Sequence, residues 1–191
     1  GIAATRVFYP FYEVFTDSLF FKKDSVYIIN PIVNYKENID WNKLFVEDFI
    51  GGNQGIQFEN SGQNMNTIKD TIIENRTCGY IILDSIFSNC ETKTTTLNFP
   101  QGSEIYLEMD YKSDSSSFIV GLQSNYFNDT INEPIMNIFP KSEWNKIYID
   151  LSNVVNAKIN ATSFNIYLYI DKPNNSMLRS LYIDNFKIIH L

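Results

Sequence analysis

Apolar and polar residues alternate along Leu181-Tyr182-Ile183-Asp184-Asn185-Phe186-Lys187-Ile188-Ile189. A period of two is the mark of a strand with one buried face. Leu181 and Ile183 then face inward, and Phe186 and Ile188 rejoin them after a local irregularity. Tyr182 and Asp184 face the other way. A terminal strand this apolar needs a neighbour on both sides, because an open edge of that composition invites aggregation.

The same local pattern recurs at Ile105-Tyr106-Leu107-Glu108, Ile147-Tyr148-Ile149-Asp150 and Ile166-Tyr167-Leu168-Tyr169. Neighbouring side chains on a strand point to opposite faces. Each segment therefore offers aliphatic residues to a core and a tyrosine to the other side, beside a carboxylate or a second tyrosine. Leu107, Ile147, Ile149, Leu168 and Ile183 are the predicted interior.

Further strands are predicted at 44–49, 78–83, 92–99, 117–122 and 133–139, with turns at Pro100-Gln101-Gly102, at 112–117, at Pro140-Lys141-Ser142-Glu143 and at Lys172-Pro173-Asn174-Asn175. The stretch 104–122 reads as a hairpin. Ser152 to Asn156 suits one helical turn, and 59–76 reads as a polar loop. Many short strands, dense turn signals and no long helical pattern predict an all-β fold, an antiparallel β-sandwich. Residues 1–40, with Val26-Tyr27-Ile28-Ile29 following a Lys22-Lys23-Asp24 turn, read as lead-in strands that end a domain lying upstream. Residues 41–191 read as the sandwich itself.

Composition narrows the partners. A net charge of −7 and a sequence pI near 4.7 oppose nucleic acid, whose phosphates need clustered Lys and Arg. They also oppose an anionic membrane surface. Neutral ligands such as sugars are compatible. Aromatic residues make up 15% of the chain, and rings of this kind both favour strands and stack on the C–H faces of sugars. The segments contain no transmembrane run and no signal peptide. The abrupt start at Gly1 reads as that of a processed or truncated piece of a longer exported protein.

There are two cysteines, Cys78 and Cys90, and one histidine, His190. The cysteines bracket a turn-like stretch. If that stretch closes a hairpin they face each other and form a disulfide; otherwise they are separate thiols, since spacing alone does not decide. Neither a zinc pattern nor a Ser-His-Asp set can be assembled, and no phosphate-cradling glycine loop with Lys occurs.

Val46-Glu47-Asp48-Phe49, Tyr106-Leu107-Glu108-Met109-Asp110-Tyr111-Lys112, Trp144 to Leu151 and Tyr182-Ile183-Asp184-Asn185 together resemble jelly-roll domains of the carbohydrate-binding-module, galactose-binding-like kind. They also resemble the C-terminal domain of surface lipoproteins in glycan-using Gram-negative bacteria. The resemblance spans roughly 40–191 and implies a jelly roll. It implies export to the outer-membrane surface, the extracellular space or the periplasm. In many such modules acids of the first and last strands bind a structural calcium, which takes hard oxygen ligands; Glu47, Asp48 and Asp184 occupy the matching positions.

A glycan-binding face would draw on Tyr106, Tyr148, Tyr167 and Tyr169 for stacking and on Glu108 and Asp110 for hydroxyls. The alternative is a structural or adhesion module whose tyrosines pack on another domain or protein. Glycoside hydrolysis ranks third. It needs two carboxyls roughly 5–9.5 Å apart across a sugar. Glu108-Met109-Asp110 resembles a jelly-roll glycosidase motif only superficially, because Tyr111-Lys112 stands where that motif continues to a second Glu. The chain is therefore expected to be non-catalytic.

Overall fold

The computed structural model describes residues 77–114, 116–172 and 178–190, together with four short strands nearer the N-terminus. Those four are β1 (Tyr12–Phe15), β2 (Ile32–Tyr35), β3 (Phe45–Glu47) and β4 (Asn66–Lys69). They are followed by β5 (Thr77–Leu83), β6 (Asn89–Lys93), β7 (Ile105–Ser113), β8 (Phe118–Asn125), β9 (Thr130–Ile138) and β10 (Asn145–Asp150). One helical turn, α1 (Ser152–Asn156), precedes β11 (Ser163–Asp171) and β12 (Arg179–His190). The expected hairpin around Lys22-Lys23-Asp24 lies outside the described residues, as does its second strand at 26–29.

Every strand pairing among the described residues is antiparallel. β1 and β2 form a two-stranded sheet. Six strands share a second sheet in the order β10-β7-β12-β5-β4, with β3 also on β12, and β6-β11-β8-β9 make a third. The last strand is central, as its composition requires. β7 runs along one side of it, while β5 and then β3 run along the other.

The two larger sheets bury their inner faces against each other. β7 and β12 contribute Leu107, Met109, Tyr111, Leu181, Ile183, Phe186 and Ile188, and the four-stranded sheet answers with Phe118, Val120, Leu122, Phe164, Ile166, Leu168 and Ile170. Tyr111 packs edge-to-face on Phe118, with ring centroids 5.4 Å apart. Leu107, Ile149, Leu168 and Ile183 are buried as expected, and Ile147 is half-buried against the same core.

The irregularity in β12 is a bulge. Register with β7 shifts between Asp184 and Lys187, and Asn185 takes a left-handed φ of 49°. Asn tolerates that conformation better than most residues. The extra residue resets the alternation, so Phe186 and Ile188 return to the side that Ile183 left.

The hairpin expected over 104–122 does not form, and the stretch between Cys78 and Cys90, left open in the sequence, does not close one either. β7 and β8 belong to different sheets, and so do β5 and β6. In both cases the chain crosses the sandwich, because each strand carries an aliphatic row that is buried only when another sheet faces it. The crossing after β7 is secured where the Ser113 N–H donates to the Lys141 carbonyl at 2.8 Å and the Ser113 hydroxyl to the Ser116 carbonyl at 2.7 Å. With β5 and β6 in opposite sheets, Cys78 and Cys90 are buried thiols rather than a disulfide. Burial pushes the Cys90 thiol pKa up to about 11. The stretch 59–76, expected as loop, contains β4.

Ile183 is wholly buried and Ile149 nearly so. Replacing either with Ala should cost about 2–5 kcal/mol through lost transfer energy plus a cavity. Urea unfolding checks this, and an unchanged midpoint would mean that inside and outside are assigned the wrong way round.

Candidate functional site

Alternation also decides what each sheet shows on its outer side. On the six-stranded sheet the outward positions include Tyr106, Glu108 and Asp110 of β7 and Lys146 and Tyr148 of β10. Register sets Tyr148 opposite Glu108 and Lys146 opposite Asp110. On the four-stranded sheet they include Tyr167 and Tyr169 of β11. The four tyrosines expected to form one platform are thus divided, two to each side of the sandwich, and no platform joins them. The aliphatic-Tyr-aliphatic pattern specifies a face of its own sheet but not which sheet that is.

The acids of the six-stranded sheet are engaged within the protein. Glu108 is only 1% exposed, and its Oε1 accepts from Lys146 Nζ at 2.8 Å and from Lys187 Nζ at 3.3 Å. Lys146 also reaches Asp110 at 3.3 Å, and the Asn185 amide donates to Asp110 Oδ2 at 2.7 Å. A carboxylate taken out of water is tolerated only when paired. These partners explain why Glu108 and Asp110 sit at outward positions without serving as open acceptors for hydroxyls. Partial burial pulls the Lys146 pKa down, but Glu108 and then Asp110 outweigh it and hold the ammonium above the usual lysine value. Tyr106 is buried, its hydroxyl donating to Glu104 at 3.4 Å. Tyr148 is half-exposed.

The four-stranded sheet is different in kind. Its outward rows run Lys93–Tyr167–Gly121, then Asn165–Gln123–Asn132, then Ser163–Asn125–Thr130. Asn165 Nδ2 donates to the Thr94 carbonyl at 2.8 Å. A carbonyl can only accept, so this bond fixes the amide, and Asn165 Oδ1 is turned to receive Asn125 Nδ2, also at 2.8 Å. Asn125 Nδ2 lies 3.2 Å from Ser163 Oγ as well. Gln123 accepts from Lys93 Nζ at 3.3 Å and donates to Asn132 Oδ1 at 2.8 Å. The result is a ladder of oriented amides across β11, β8 and β9, anchored on Lys93 and Thr94 at the end of β6.

Above it lies a cleft of about 540 Å³, within the range of small-molecule sites. It is lined by Lys93, Thr94, Thr95, Thr96, Gln123, Asn125, Thr130, Ser163 and Asn165. Amides and hydroxyls keep spare donors and lone pairs after one or two bonds, so this lining can exchange hydrogen bonds with a hydroxyl-rich ligand.

Tyr167 is held flat beside the cleft. A Cβ on Gly121 would sit 2.1 Å from Tyr167 Cζ, so only glycine leaves room for the ring across the strand. The ring is 6% exposed. Burial, aided by Glu91 and Glu133, pushes its phenol pKa up and keeps the hydroxyl as a donor. Tyr169, two positions along β11 and opposite Glu91, is more open.

The amides and hydroxyls of the cleft were not among the residues singled out from the sequence. The signal was present in the outward positions of Gly121-Leu122-Gln123-Ser124-Asn125 and Phe164-Asn165-Ile166, which carry the same alternation as the tyrosines.

Of the three acids expected to share calcium, Asp184 is buried and its Oδ1 accepts the Asn185 amide N–H at 2.8 Å. β3 sets the Glu47 backbone opposite Phe186, two residues from Asp184. Asp48 lies outside the described residues. Among the described residues no three His, Cys, Asp or Glu side chains gather as a metal site.

The sequence matches no protein-family model and no curated protein. The fold, however, is shared with solved structures. A structure titled for the promiscuous specificity of carbohydrate-binding modules of the β-sandwich superfamily superposes with a TM-score of 0.55 at 10% identity, over 82% of this chain and 66% of that one. The family 11 carbohydrate-binding module of the cellulase Lic26A-Cel5E of Clostridium thermocellum gives 0.51 at 13% identity, over 76% and 94%. The enzymatically active domain of bacteriophage CBA120 tailspike protein 4 gives 0.50 at 11% identity; 72% of this chain is covered, spanning 20% of that one. The chain has the β-sandwich fold of carbohydrate-binding modules.

The ion pairs of the six-stranded sheet predict an alkaline weakness. Below about pH 10.4 lysine is charged in both folded and unfolded chains, and the stabilisation by Lys146 is fully present. It is lost as pH rises through the raised folded-state value. Urea unfolding across that window should show a steeper loss for the wild type than for Lys146→Met. Parallel curves would mean that Lys146 is not held by Glu108 and Asp110.

Proposed function

We propose that this chain is a non-catalytic carbohydrate-binding module of an exported protein, and that it takes a neutral oligosaccharide on the outer face of its four-stranded sheet. The observation that carries this is the cleft built on the ladder of Asn165, Asn125, Gln123 and Asn132. Oriented amides suit a ligand covered in hydroxyls, because each can accept from one hydroxyl and donate to another. The fold supports the reading, since the modules titled above share it, and folds alone do not assign a ligand. The engagement of Glu108 by two lysines supports a non-catalytic role. A retaining or inverting hydrolase needs one carboxyl to give up a proton to the leaving oxygen, and Glu108 is instead buried against ammonium groups.

Affinity is expected to be modest, because hydroxyls exchange water for protein partners at little net gain. Isothermal titration against neutral oligosaccharides tests the face directly. Asn165→Ala and Tyr169→Ala should each weaken binding by about tenfold, with folding confirmed by circular dichroism, while Tyr148→Ala on the opposite side should have no effect. Affinity should hold between about 0.05 and 0.5 M salt, unlike a charge-driven contact. Weakening by Tyr148→Ala with Asn165→Ala silent would move the site to the six-stranded sheet, and no binding by the wild type would remove the reading.

A further inference from the structure

We infer that this cleft reads an acetamido group, and so prefers N-acetylhexosamine units to sugars that carry a hydroxyl at the same carbon. The inference rests on the glycan-binding reading above.

The polarity of the amides is set at both ends of the ladder by groups that cannot be reversed. The Thr94 carbonyl only accepts, and the Lys93 ammonium only donates. From the first, Asn165 turns Nδ2 to Thr94 and Oδ1 to Asn125, each at 2.8 Å. Both hydrogens of the Asn125 amide are then directed at β11, one to Asn165 Oδ1 and one to Ser163 Oγ at 3.2 Å. What Asn125 has left for a ligand is Oδ1, an acceptor that meets no donor among the described residues. From the second, Gln123 gives Oε1 to Lys93 at 3.3 Å and one hydrogen of Nε2 to Asn132 at 2.8 Å. Its remaining N–H is a donor.

Gln123 and Asn125 stand two positions apart on β8, on the same outward face, and both line the cleft. Their Cα atoms are therefore about 7 Å apart along the strand. A hydroxyl can turn to suit either group, so it gains nothing from this fixed order. An amide cannot turn in that way. Its N–H donates and its C=O accepts, in opposite directions across one planar unit. An acetamido group laid between the two donates to Asn125 Oδ1 and accepts from Gln123 Nε2, and neither partner has to give up its place in the ladder. Two hydrogen bonds with an amide between them span about 7 Å.

The rest of the lining leaves discrimination to such pairs. It consists of amides, hydroxyls and one ammonium group, with no aromatic ring among the described residues. A site built to hydrogen-bond one group rejects the analogue that lacks it, because its own polar atoms are then left unpaired.

The test is isothermal titration with chitotetraose and cellotetraose, which differ only in carrying an acetamido group or a hydroxyl at the second carbon of each β-1,4-linked unit. The wild type should bind chitotetraose at least about tenfold more tightly. Gln123→Glu keeps the shape and the acceptor for Lys93 but removes the donor. It should bind chitotetraose about tenfold more weakly than the wild type does and cellotetraose within about threefold, with an unfolding midpoint that shows the fold is kept. The two sugars on the wild type decide the matter even if the variant unfolds. Equal affinity for them, or a preference that Gln123→Glu leaves intact, would overturn the inference while the cleft stands as a glycan site. Failure of the wild type to bind chitotetraose would also overturn it, and the glycan-binding reading would then be decided separately by the other neutral oligosaccharides.

Discussion

The structure depends on two aliphatic rows having to meet. β7 and β12 put Leu107, Met109, Leu181 and Ile183 on one side of their sheet, and β8 and β11 put Val120, Leu122, Ile166 and Leu168 on one side of theirs. Neither row can stay in water, and each buries the other. Because a strand's side chains alternate strictly, closing this interior also decides every outward position. The bulge at Asp184–Lys187 shows how tightly the constraint is kept. The chain accepts a left-handed Asn185 rather than let Phe186 and Ile188 leave the core.

The two outer faces that result have opposite chemistry. The six-stranded sheet turns inward on itself, with Glu108 buried between Lys146 and Lys187 and Asp110 shared between Lys146 and Asn185. The four-stranded sheet instead presents neutral amides, with Asn165 and Asn125 oriented from the Thr94 carbonyl and Gln123 and Asn132 from the Lys93 ammonium. Gly121 lets Tyr167 lie down across the strand, which keeps the cleft open rather than filled by a standing ring. A face prepared in this way costs a ligand little reorganisation, which is the general route to useful affinity from weak polar contacts.

Much of this was legible in the sequence. The alternation at Ile147-Tyr148-Ile149 and Leu181-Tyr182-Ile183 specified strands, their inner sides and the central place of the last strand, because period and burial are local properties. The assignment of strands to sheets is not local. Ser113 to Phe118 has the length and composition of a hairpin turn, yet it crosses the sandwich, and the same holds between Leu83 and Asn89. That non-locality left the pairing of Cys78 and Cys90 open in the sequence and gathered four tyrosines onto one surface. Attention to rings and carboxylates also passed over Gln123, Asn125 and Asn165, whose value comes only from being brought side by side by β8 and β11. Glu108 shows the converse: a carboxylate at an outward position reads as an open acceptor until its two lysines are placed beside it.

The central claim is that ligand meets the amide ladder and not the ion-paired face. Side-chain amide resonances report this without any substitution. On titration with a neutral oligosaccharide that binds, the account predicts shifts at the Asn125, Gln123 and Asn165 side-chain NH₂ groups, with the Tyr148 ring and the Lys146 ammonium unmoved. Shifts confined to Tyr148, Lys146 and their neighbours, with the three amides still, would contradict it.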